Sequence, residues 1–277
     1  MRQLSGAMMV SAALVLLAST AEAQGAKPLT KCAPDAVVSG TVCMDKFEAS
    51  VWRVLNPATT NKGLVKKIQQ GKATVADLAK GGATQLGTTA VVAPYAPCAD
   101  SGQNCTDDIY AVSVVGVTPS AQMTWFQAQA ACENARKRLP SNAEWQAAVA
   151  GTPDPGPDNG STDCNTISTT FTLPEDPVNT GSRSSCVSAD GTYDMVGNLY
   201  EWVADWVPRS TACGTWNAGV SPTGDDQCLG GAATTGEPGA LLRGGIFVFG
   251  AGAGPLTVVG YVGPSDSSDV FGFRCAR

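Results

Sequence analysis

The chain has 277 residues, including 31 glycines, 17 prolines, 10 cysteines and no histidine, and its net charge is −6 at neutral pH. The absence of histidine excludes the imidazole ligands of the usual non-haem iron and catalytic zinc sites, and the commonest general base at neutral pH. The negative charge argues against nucleic acid as a partner, because phosphate binding needs clustered Lys and Arg.

The first 23 residues have the pattern of a secretory signal peptide. Arg2 provides a positive start, residues 4–17 form an apolar run, and residues 21–23 are a small-x-small cleavage site. The run is too short to span a bilayer securely, and no later apolar run approaches the length of a transmembrane helix. The sequence predicts an exported protein, periplasmic or extracellular, that is cleaved after Ala23 and has no transmembrane segment.

Export makes disulfide bonds the expected state of the ten cysteines, since an even number in an oxidising compartment favours pairing. Connectivity does not follow from sequence alone, but short loops favour four pairs, Cys32–Cys43, Cys98–Cys105, Cys164–Cys186 and Cys213–Cys228. Cys132 and Cys275 then remain as a long-range pair, worth roughly 4 to 5 kcal/mol in the chain-entropy account. Free or metal-bound cysteines are disfavoured, because no CxxC or Cys/His zinc spacing occurs.

The mature length fits either one large loop-rich domain or one domain with a small appendage. Residues 24–55 are assigned to the N-terminal strands of the main domain, with a hairpin turn at Ser39-Gly40. Residues 56–108 are interpreted as an insertion with short helices, one of which opens at the capping pair of Thr74 and Asp77. Residues 109–277 form the core, where abundant Gly, Pro, Ser and Thr predict short strands and many turns.

Two helices are predicted in the core. The first covers residues 124–134, with Thr124 as its cap and Cys132 on its apolar face. The second opens at the capping box of residues 141–144 and stops at Gly151. Because Cys132 faces the interior, its long-range bridge joins the first helix to the last strand of the chain.

Three motifs occur in a fixed order in the core. They are the helical text CENARKRLPSNAEWQAAVAG, the element YDMVGNLYEWVADW, and the ending in which LLRGG is followed by GFRCAR. Together, over residues 112–277, they resemble the formylglycine-generating (sulfatase-modifying factor) family. The resemblance implies an α+β fold, the irregular and loop-rich variant of the C-type-lectin fold that this family has, here stapled by disulfides.

The catalytic residues of that family have no counterpart in this chain. The family's oxidases use a pair of cysteines between RGG and GFRC to bind copper and activate oxygen, a role that suits soft thiolates. Residues 246–271 contain no cysteine, and relatives that hold iron through histidines are not matched either. The resemblance therefore implies no copper or iron and no catalytic residues here. An oxidase acting on protein cysteines stays open as an alternative function.

The segment between RGG and GFRCAR also resembles the variable region of the variable proteins of diversity-generating retroelements, which share this fold. Adenine-directed rewriting of asparagine codons in those proteins yields many residues, but not Lys, Glu, Gln, Met or Trp. Residues 246–271 contain none of these five. The predicted ligand-binding residues in this segment are Ile246, Phe247, Val248, Phe249, Gly252, Val259, Tyr261, Val262, Asp266, Ser268, Asp269 and Val270.

This resemblance implies recognition rather than reaction. A rigid, cross-linked scaffold that presents exchangeable side chains changes partners without refolding. The sequence thus predicts a secreted, non-catalytic protein that binds an unknown protein or glycan on another surface. A structural envelope protein is a further alternative. For Phe247, Phe249, Val258 and Val259, a place in a core strand is the competing interpretation.

A structural calcium site is the second feature that the resemblance implies. In the family, the turn VGN and the Glu that follows it hold calcium, partly through backbone carbonyls. The matching residues are Val196, Gly197, Asn198, Leu199 and Glu201. A second family site uses an asparagine, matched most nearly by Asn165, with Asp176 as its acidic partner. The competing interpretation is that Asn198 and Glu201 only form hydrogen bonds within a turn.

Overall fold

The computed structural model describes residues 29–88, 94–105, 109–167 and 176–277. In this part of the chain, eleven short strands and four helices alternate with extensive loops, so the α+β class and the loop-rich character are as predicted. The predicted signal peptide lies outside the described residues. Among the helices described, none combines the length and apolarity needed to cross a membrane.

The N-terminal hairpin is tied to the end of the chain. Strands β1 (Ala36–Ser39) and β2 (Val42–Asp45) pair antiparallel around Gly40, whose φ of +56° suits glycine at the turn. The amide of Cys43 donates to the carbonyl of Arg277 at 3.0 Å, and the reverse bond measures 2.9 Å. The two ends of the described chain therefore stabilise one another.

A three-stranded antiparallel sheet follows. Strand β3 (Ser50–Arg53) lies between β4 (Thr84–Leu86) and β5 (Ile109–Val112). The predicted insertion of residues 56–108 therefore supplies one edge strand of this sheet, while the other two strands come from the flanking segments.

Two short helices cover this sheet. They are α1 (Lys62–Gln69) and α2 (Val75–Lys80), and their buried leucine and isoleucine side chains form one cluster with Trp52. Helix α2 begins as predicted, because Thr74 and Asp77 form a reciprocal capping box.

Helices α3 (Trp125–Asn134) and α4 (Asn142–Ala148) also begin where the sequence predicts. Thr124 caps α3 and Ser141 caps α4, each through a capping box with the residue three positions later. Helix α4 ends before Gly151, which adopts the left-handed conformation at φ +81°.

The largest sheet has six strands in the order β11-β6-β9-β10-β8-β7, in which β11 is parallel to β6 and β10 is parallel to β8. Its strands are β6 (Tyr200–Val207), β7 (Ala212–Thr215), β8 (Asp226–Gly230), β9 (Gly239–Arg243), β10 (Val258–Val259) and β11 (Phe271–Phe273). A short 3₁₀ helix, Gly250–Gly252, lies between β9 and β10. The segment of residues 246–271 thus leaves the sheet, returns as an inner strand, and leaves again.

The alternation of side chains along β6 separates two core clusters. Tyr200 and Trp202 point to the face covered by α3 and the three-stranded sheet. Val203 points to the opposite face, where it packs in a cluster with Trp145 of α4. The sheet is therefore buried on both faces at its centre.

Five disulfide bonds close the scaffold, and all five predicted pairs are present: Cys32–Cys43, Cys98–Cys105, Cys132–Cys275, Cys164–Cys186 and Cys213–Cys228. The long-range bridge spans 143 residues and fastens α3 to the residues that follow β11. All ten cysteines of the chain are used in this way.

Candidate functional site

Helix α4 holds Arg243, the first residue of the RGG motif that precedes the predicted variable segment, residues 246–271. The guanidinium of Arg243 donates to the side chain of Asn142 at 3.1 Å, to Gln146, and to the carbonyl of Pro255 at 3.1 Å. It also lies 4.6 Å from the ring centroid of Trp145, within the range of a cation–π contact. The start of the segment is therefore fixed by contacts on one side of the sheet.

The two glycines after Arg243 form a corner that only glycine fits. Gly244 and Gly245 have φ values of +87° and +85°. A Cβ atom at Gly244 would lie 2.8 Å from the carbonyl oxygen of Met195, and one at Gly245 would lie 2.5 Å from the Cα atom of Ala253. The close approach of the neighbouring backbone explains why two glycines follow the arginine in the RGG motif.

A buried ion pair holds the other end of the segment. Arg274 is fully buried, and its Nε and Nη2 atoms donate to the carboxylate of Glu201 at 2.6 to 2.9 Å. Its remaining donors reach the carbonyls of Tyr193 at 2.8 Å and Asp45 at 3.1 Å. Cys275, next along the chain, is in the long-range disulfide. Both ends of the segment are thus part of the rigid core.

Three of the predicted ligand-binding residues are core residues. Ile246, Val259 and Val262 expose 6%, 1% and 6% of their surface and belong to the same cluster as Trp202 and Leu242. Val259 is buried because β10 lies between β9 and β8, and Ile246 and Val262 pack against the same cluster from the loops on either side of β10. They support the scaffold, contrary to the expectation that they face a ligand.

The other nine predicted ligand-binding residues reach the surface. They come from the two loops on either side of β10, residues 244–257 and 260–270. Tyr261, for example, exposes 42% of its surface. We call this set the variable-segment surface, and its members are Phe247, Val248, Phe249, Gly252, Tyr261, Asp266, Ser268, Asp269 and Val270.

Part of this surface lines a cavity of about 400 Å³. Phe247 and Asp269 contribute from the variable segment, and Gln122, Asp176 and Pro177 face them from other loops. Apolar and carboxylate groups therefore share this recess.

An aromatic cluster supports the middle of the surface. The ring of Tyr200 meets those of Phe249 and Phe271 edge to face, at centroid distances of 5.5 and 6.4 Å. Tyr200 is 3% exposed, and its hydroxyl has no hydrogen-bond partner within the part of the chain that the structure describes. Burial raises the pKa of this hydroxyl, with the charges of Tyr261 and Asp226 adding to the effect. Tyr200 was not predicted as part of the site, because its place beneath the segment depends on pairing between distant strands.

The turn matched to the first calcium site is filled by protein groups. Both carboxylate oxygens of Glu201 accept from Arg274, and the indole N–H of Trp145 donates to one of them at 2.7 Å. A carboxylate that already neutralises a buried arginine is a poor ligand for a cation. Val196 and Leu199 are buried on either side, and Gly197 makes a positive-φ turn against the carbonyl of Asn165.

Asn198 is likewise satisfied within the protein. Its side-chain oxygen accepts from Asn165 at 3.0 Å and from the amide of Val178 at 2.9 Å, and its Nδ2 donates to Glu48. The amide of Leu199 donates to the same Glu48 carboxylate at 3.1 Å. Glu48 was not predicted as part of this site, because its partners lie about 150 positions away and no local pattern marks it as buried.

Burial raises the pKa of Glu48 well above its usual range, and the charges of Asp194 and Glu201 raise it further. The buried carboxyl of Glu48 thus has two acidic neighbours and accepts hydrogen bonds from Asn198 and Leu199.

The second predicted calcium site has similar geometry. The side-chain oxygen of Asn165 accepts from Arg183 at 3.1 Å, and its Nδ2 donates to the backbone carbonyl of Asp176 at 3.2 Å. The Asp176 side chain is exposed at the cavity. Across the described ranges, no group of three or more Cys, Asp or Glu side chains is placed to hold a metal. These residues, as arranged, do not fit calcium, which stays a prediction of the resemblance.

Comparison with known families gives one match over most of the chain. The profile of the sulfatase-modifying factor enzyme 1-like domain matches residues 60–277. This match is longer than the resemblance seen in the motifs, and it begins inside the predicted insertion.

Curated relatives match over shorter stretches. The formylglycine-generating enzyme of Thermomonospora curvata is 30% identical over 117 residues, which are 38% of this chain and 37% of that enzyme. The serine/threonine-protein kinase Pkn1 of Chlamydia trachomatis is 36% identical over 93 residues, which are 32% of this chain and 14% of the kinase. The chain thus spans well under half the length of these relatives.

Several solved structures are similar. The U1 variant of the Major Tropism Determinant is 16% identical and has a TM-score of 0.42. The match includes 88% of this chain and 52% of the variant. The P3c variant is 23% identical, with coverage of 56% and 37% and a TM-score of 0.37. PvdO from Pseudomonas aeruginosa is 19% identical, with coverage of 87% and 82% and a TM-score of 0.38.

Proposed function

This chain belongs to the family with a sulfatase-modifying factor enzyme 1-like domain, and we propose that it uses the family scaffold for recognition. In this proposal it is an exported, non-catalytic binding protein. Its variable-segment surface contacts a protein or glycan on another surface, and the recognition needs no proton transfer.

The observation that carries the proposal is the change in burial along one short segment. Arg243 and Arg274, which flank it, are buried and bonded, whereas Phe249 and Tyr261 between them remain partly or largely exposed. Aromatic side chains held at a surface by a rigid frame are typical of the central contacts of an interface. Their burial by a partner would contribute about 25 cal/mol per Å² before ordering costs.

The way these side chains pack also supports exchange of their identity. Phe247, Val248, Phe249 and Val270 rest against the core cluster without entering it. Substitutions at such positions change a contact surface and leave the buried framework in place. This is the property that a diversified binding surface needs.

Five disulfides support the exported location, because such bonds persist in oxidising compartments. The predicted cleavage after Ala23 is consistent with that location, and N-terminal sequencing of the protein recovered from the cell exterior or periplasm would test it.

A display library tests the proposed function directly. The nine positions of the variable-segment surface are randomised together, and the library is selected on folded, unrelated target proteins and on immobilised glycans. We expect most members to remain folded and selection to yield binders to several targets. A matched library at Ile246, Val259 and Val262 should lose most folded members, because those side chains are in the core.

Partner binding by the natural sequence provides the second test. Alanine at all nine positions should abolish binding to any target found on a glycan or cell-surface protein array, while a cooperative unfolding transition shows that the fold is retained. The control replaces Leu55, Val115 and Val220 by alanine, since these exposed residues lie outside the segment. Retained binding after the nine-residue exchange would refute the proposal.

A further inference from the structure

A second cavity, of about 630 Å³, lies outside the variable segment, since none of its lining residues belongs to residues 246–271. Four stretches that are distant in sequence meet there: the N-terminal hairpin, the loop that leads into α2, the residues that follow β5, and the turn before Tyr193. Sites for small molecules in proteins have volumes of roughly 300 to 1,000 Å³. The cavity is therefore large enough to hold such a ligand.

The walls of this cavity are largely apolar. The ring of Phe47 stacks on that of Tyr193, with centroids 5.3 Å apart and an angle of 29° between the planes. Val115 lies beside Phe47, since a Cβ atom at Gly181 would be 3.1 Å from the first side chain and 2.7 Å from the second. Val75 and Val115 line the cavity and expose 40% and 58% of their surface. A ligand with an apolar body would remove these side chains from water.

The polar part of the lining is organised around Asp35. Its carbonyl oxygen accepts from the amide of Lys46 at 3.0 Å and from the hydroxyl of Ser113 at 3.0 Å. Its carboxylate lies so close to Gly71 that no Cβ atom would fit there. Lys46 and Lys72, the two lysines of the lining, therefore start from backbone that approaches the same residue.

The charge of this lining is positive. Asp35 is the only carboxylate among the described residues of the lining, and it already pairs with Lys137 at 2.6 Å and with Arg277 at 2.9 Å. The ammonium groups of Lys46 and Lys72 form no hydrogen bond or salt bridge with any residue that the structure describes. Two cations thus lack a counter-charge beside apolar walls, in a chain whose net charge is −6.

We propose that this cavity binds a small amphipathic anion, an aliphatic or aromatic chain that ends in a carboxylate. The chain packs on the rings of Phe47 and Tyr193 and on Val115, where burial of apolar surface stabilises it. The carboxylate accepts charge-assisted hydrogen bonds from the ammonium groups of Lys46 and Lys72. This site lies outside the variable segment, so the inference goes beyond the proposed function and does not depend on it.

Three probes test the class of ligand. The ¹⁵N-labelled protein is titrated with octanoate, with octan-1-ol, which has the same chain without the charge, and with acetate, which has the charge without the chain. We expect octanoate to shift the amides of Ser113, Val115 and Gly191 and to bind several times more tightly than octan-1-ol, while acetate leaves these amides unchanged. The proposal is overturned if octanoate causes no shift, binds no more tightly than octan-1-ol, or acts like acetate.

Variants at the walls and at the lysines assign the contacts. Val115→Glu places a like charge on an exposed part of the wall and should abolish octanoate binding. Lys46→Gln with Lys72→Gln should weaken octanoate about tenfold and leave octan-1-ol unchanged. The matched control, Lys66→Gln with Lys80→Gln, changes two exposed lysines outside this cavity and should have no effect. Thermal unfolding reports whether each variant is folded, and undiminished octanoate binding by the folded Lys46 and Lys72 variant would contradict the site.

The nine-residue exchange in the variable-segment surface separates this site from the proposed function. None of the nine positions lines the cavity, so the exchanged protein should bind octanoate as the natural protein does. Loss of octanoate binding in the folded exchange variant would place the ligand on the variable-segment surface and overturn this inference.

Discussion

An ion pair between an arginine and a carboxylate occurs both at the end of the segment of residues 246–271 and in its loops, but the first pair is buried and the second is exposed. Arg274 and Glu201 form an ion pair with at most 1% of either side chain exposed, at 2.6 Å. Asp266, within the loops, pairs at 3.6 Å with Arg209, which lies just after β6, and the two side chains are 45% and 36% exposed. Breaking the buried pair leaves an uncompensated charge inside the protein and costs stability, whereas the exposed pair contributes little to stability. In the proposed function, such a buried frame would let the residues of the loops between its ends be exchanged.

The largest effect should come from breaking the buried end. Glu201→Gln leaves the guanidinium of Arg274 buried without its counter-charge, and we expect a loss of about 3 to 5 kcal/mol in the free energy of unfolding. Urea denaturation measures it. Asp266→Asn removes the corresponding charge from the exposed pair and should cost less than about 1 kcal/mol. Equal losses would remove the distinction between the two regions.

The long-range disulfide is the next largest element of the frame. Replacing Cys132 and Cys275 by alanine together should cost about 2 to 5 kcal/mol. The matched control replaces Cys213 and Cys228, which are separated by 15 residues instead of 143, and should cost about 2 kcal/mol less by chain entropy. Thermal and urea unfolding under non-reducing conditions compare them, and a larger loss in the control would argue against this account.

Two positions inside the segment, one buried and one exposed, allow the same comparison between near neighbours in sequence. Val259 is 1% exposed and Tyr261 is 42% exposed, although they are two residues apart. We expect Val259→Ala to cost about 1 to 3 kcal/mol through lost packing, and Tyr261→Ala to change stability by less than about 0.5 kcal/mol. Denaturant midpoints of the two variants decide it. Similar losses at both positions would mean that Tyr261 is part of the core.

The smallest predicted effect concerns pH at the contact between frame and loop. Asp225 accepts from the amide of Leu256 at 2.7 Å and shares the hydroxyl of Thr223 with Asp154. Burial raises the pKa of Asp154 to about 6; the hydrogen bond from Thr223 opposes this rise and the charge of Asp225 adds to it. The folded state then binds this proton more tightly than the unfolded state, so the contribution of Asp154 to stability increases as pH falls from 7 towards 4.

Asp154→Asn should therefore raise the melting temperature by a few degrees at pH 7.5 relative to the natural protein, and this difference should shrink at pH 5. Thermal unfolding at the two values of pH measures the difference, with Asp190→Asn as the variant of an exposed carboxylate. A difference that is independent of pH would exclude titration of Asp154 as its cause.

The predictions that the structure confirms depend on neighbours in sequence. Thr74, Thr124 and Ser141 each cap a helix through a residue three positions away, so the helix starts are visible in the chain. The four short disulfides follow from loop length, and the fifth from elimination. The family's motifs supply the α+β class in the same way.

The site was only partly predictable. The burial of Val259 depends on β10 lying between β9 and β8. Because β10 has only two residues and its partners are distant in sequence, no local pattern reveals this pairing. The sequence pattern therefore predicts Ile246, Val259 and Val262 on the binding surface, whereas the structure buries them. Glu48 was missed for the same reason, because its partners Asn198 and Leu199 lie about 150 positions away.

From the residues alone follow the helix caps, the family and the absence of its catalytic cysteines, and short loops favour the cysteine pairs, because these depend on composition or on short spacings. Tertiary structure decides that Glu201 neutralises Arg274, and that nine of the twelve predicted ligand-binding residues reach solvent while Ile246, Val259 and Val262 are buried. These depend on strand order and burial, which arise only when distant parts of the chain pack together.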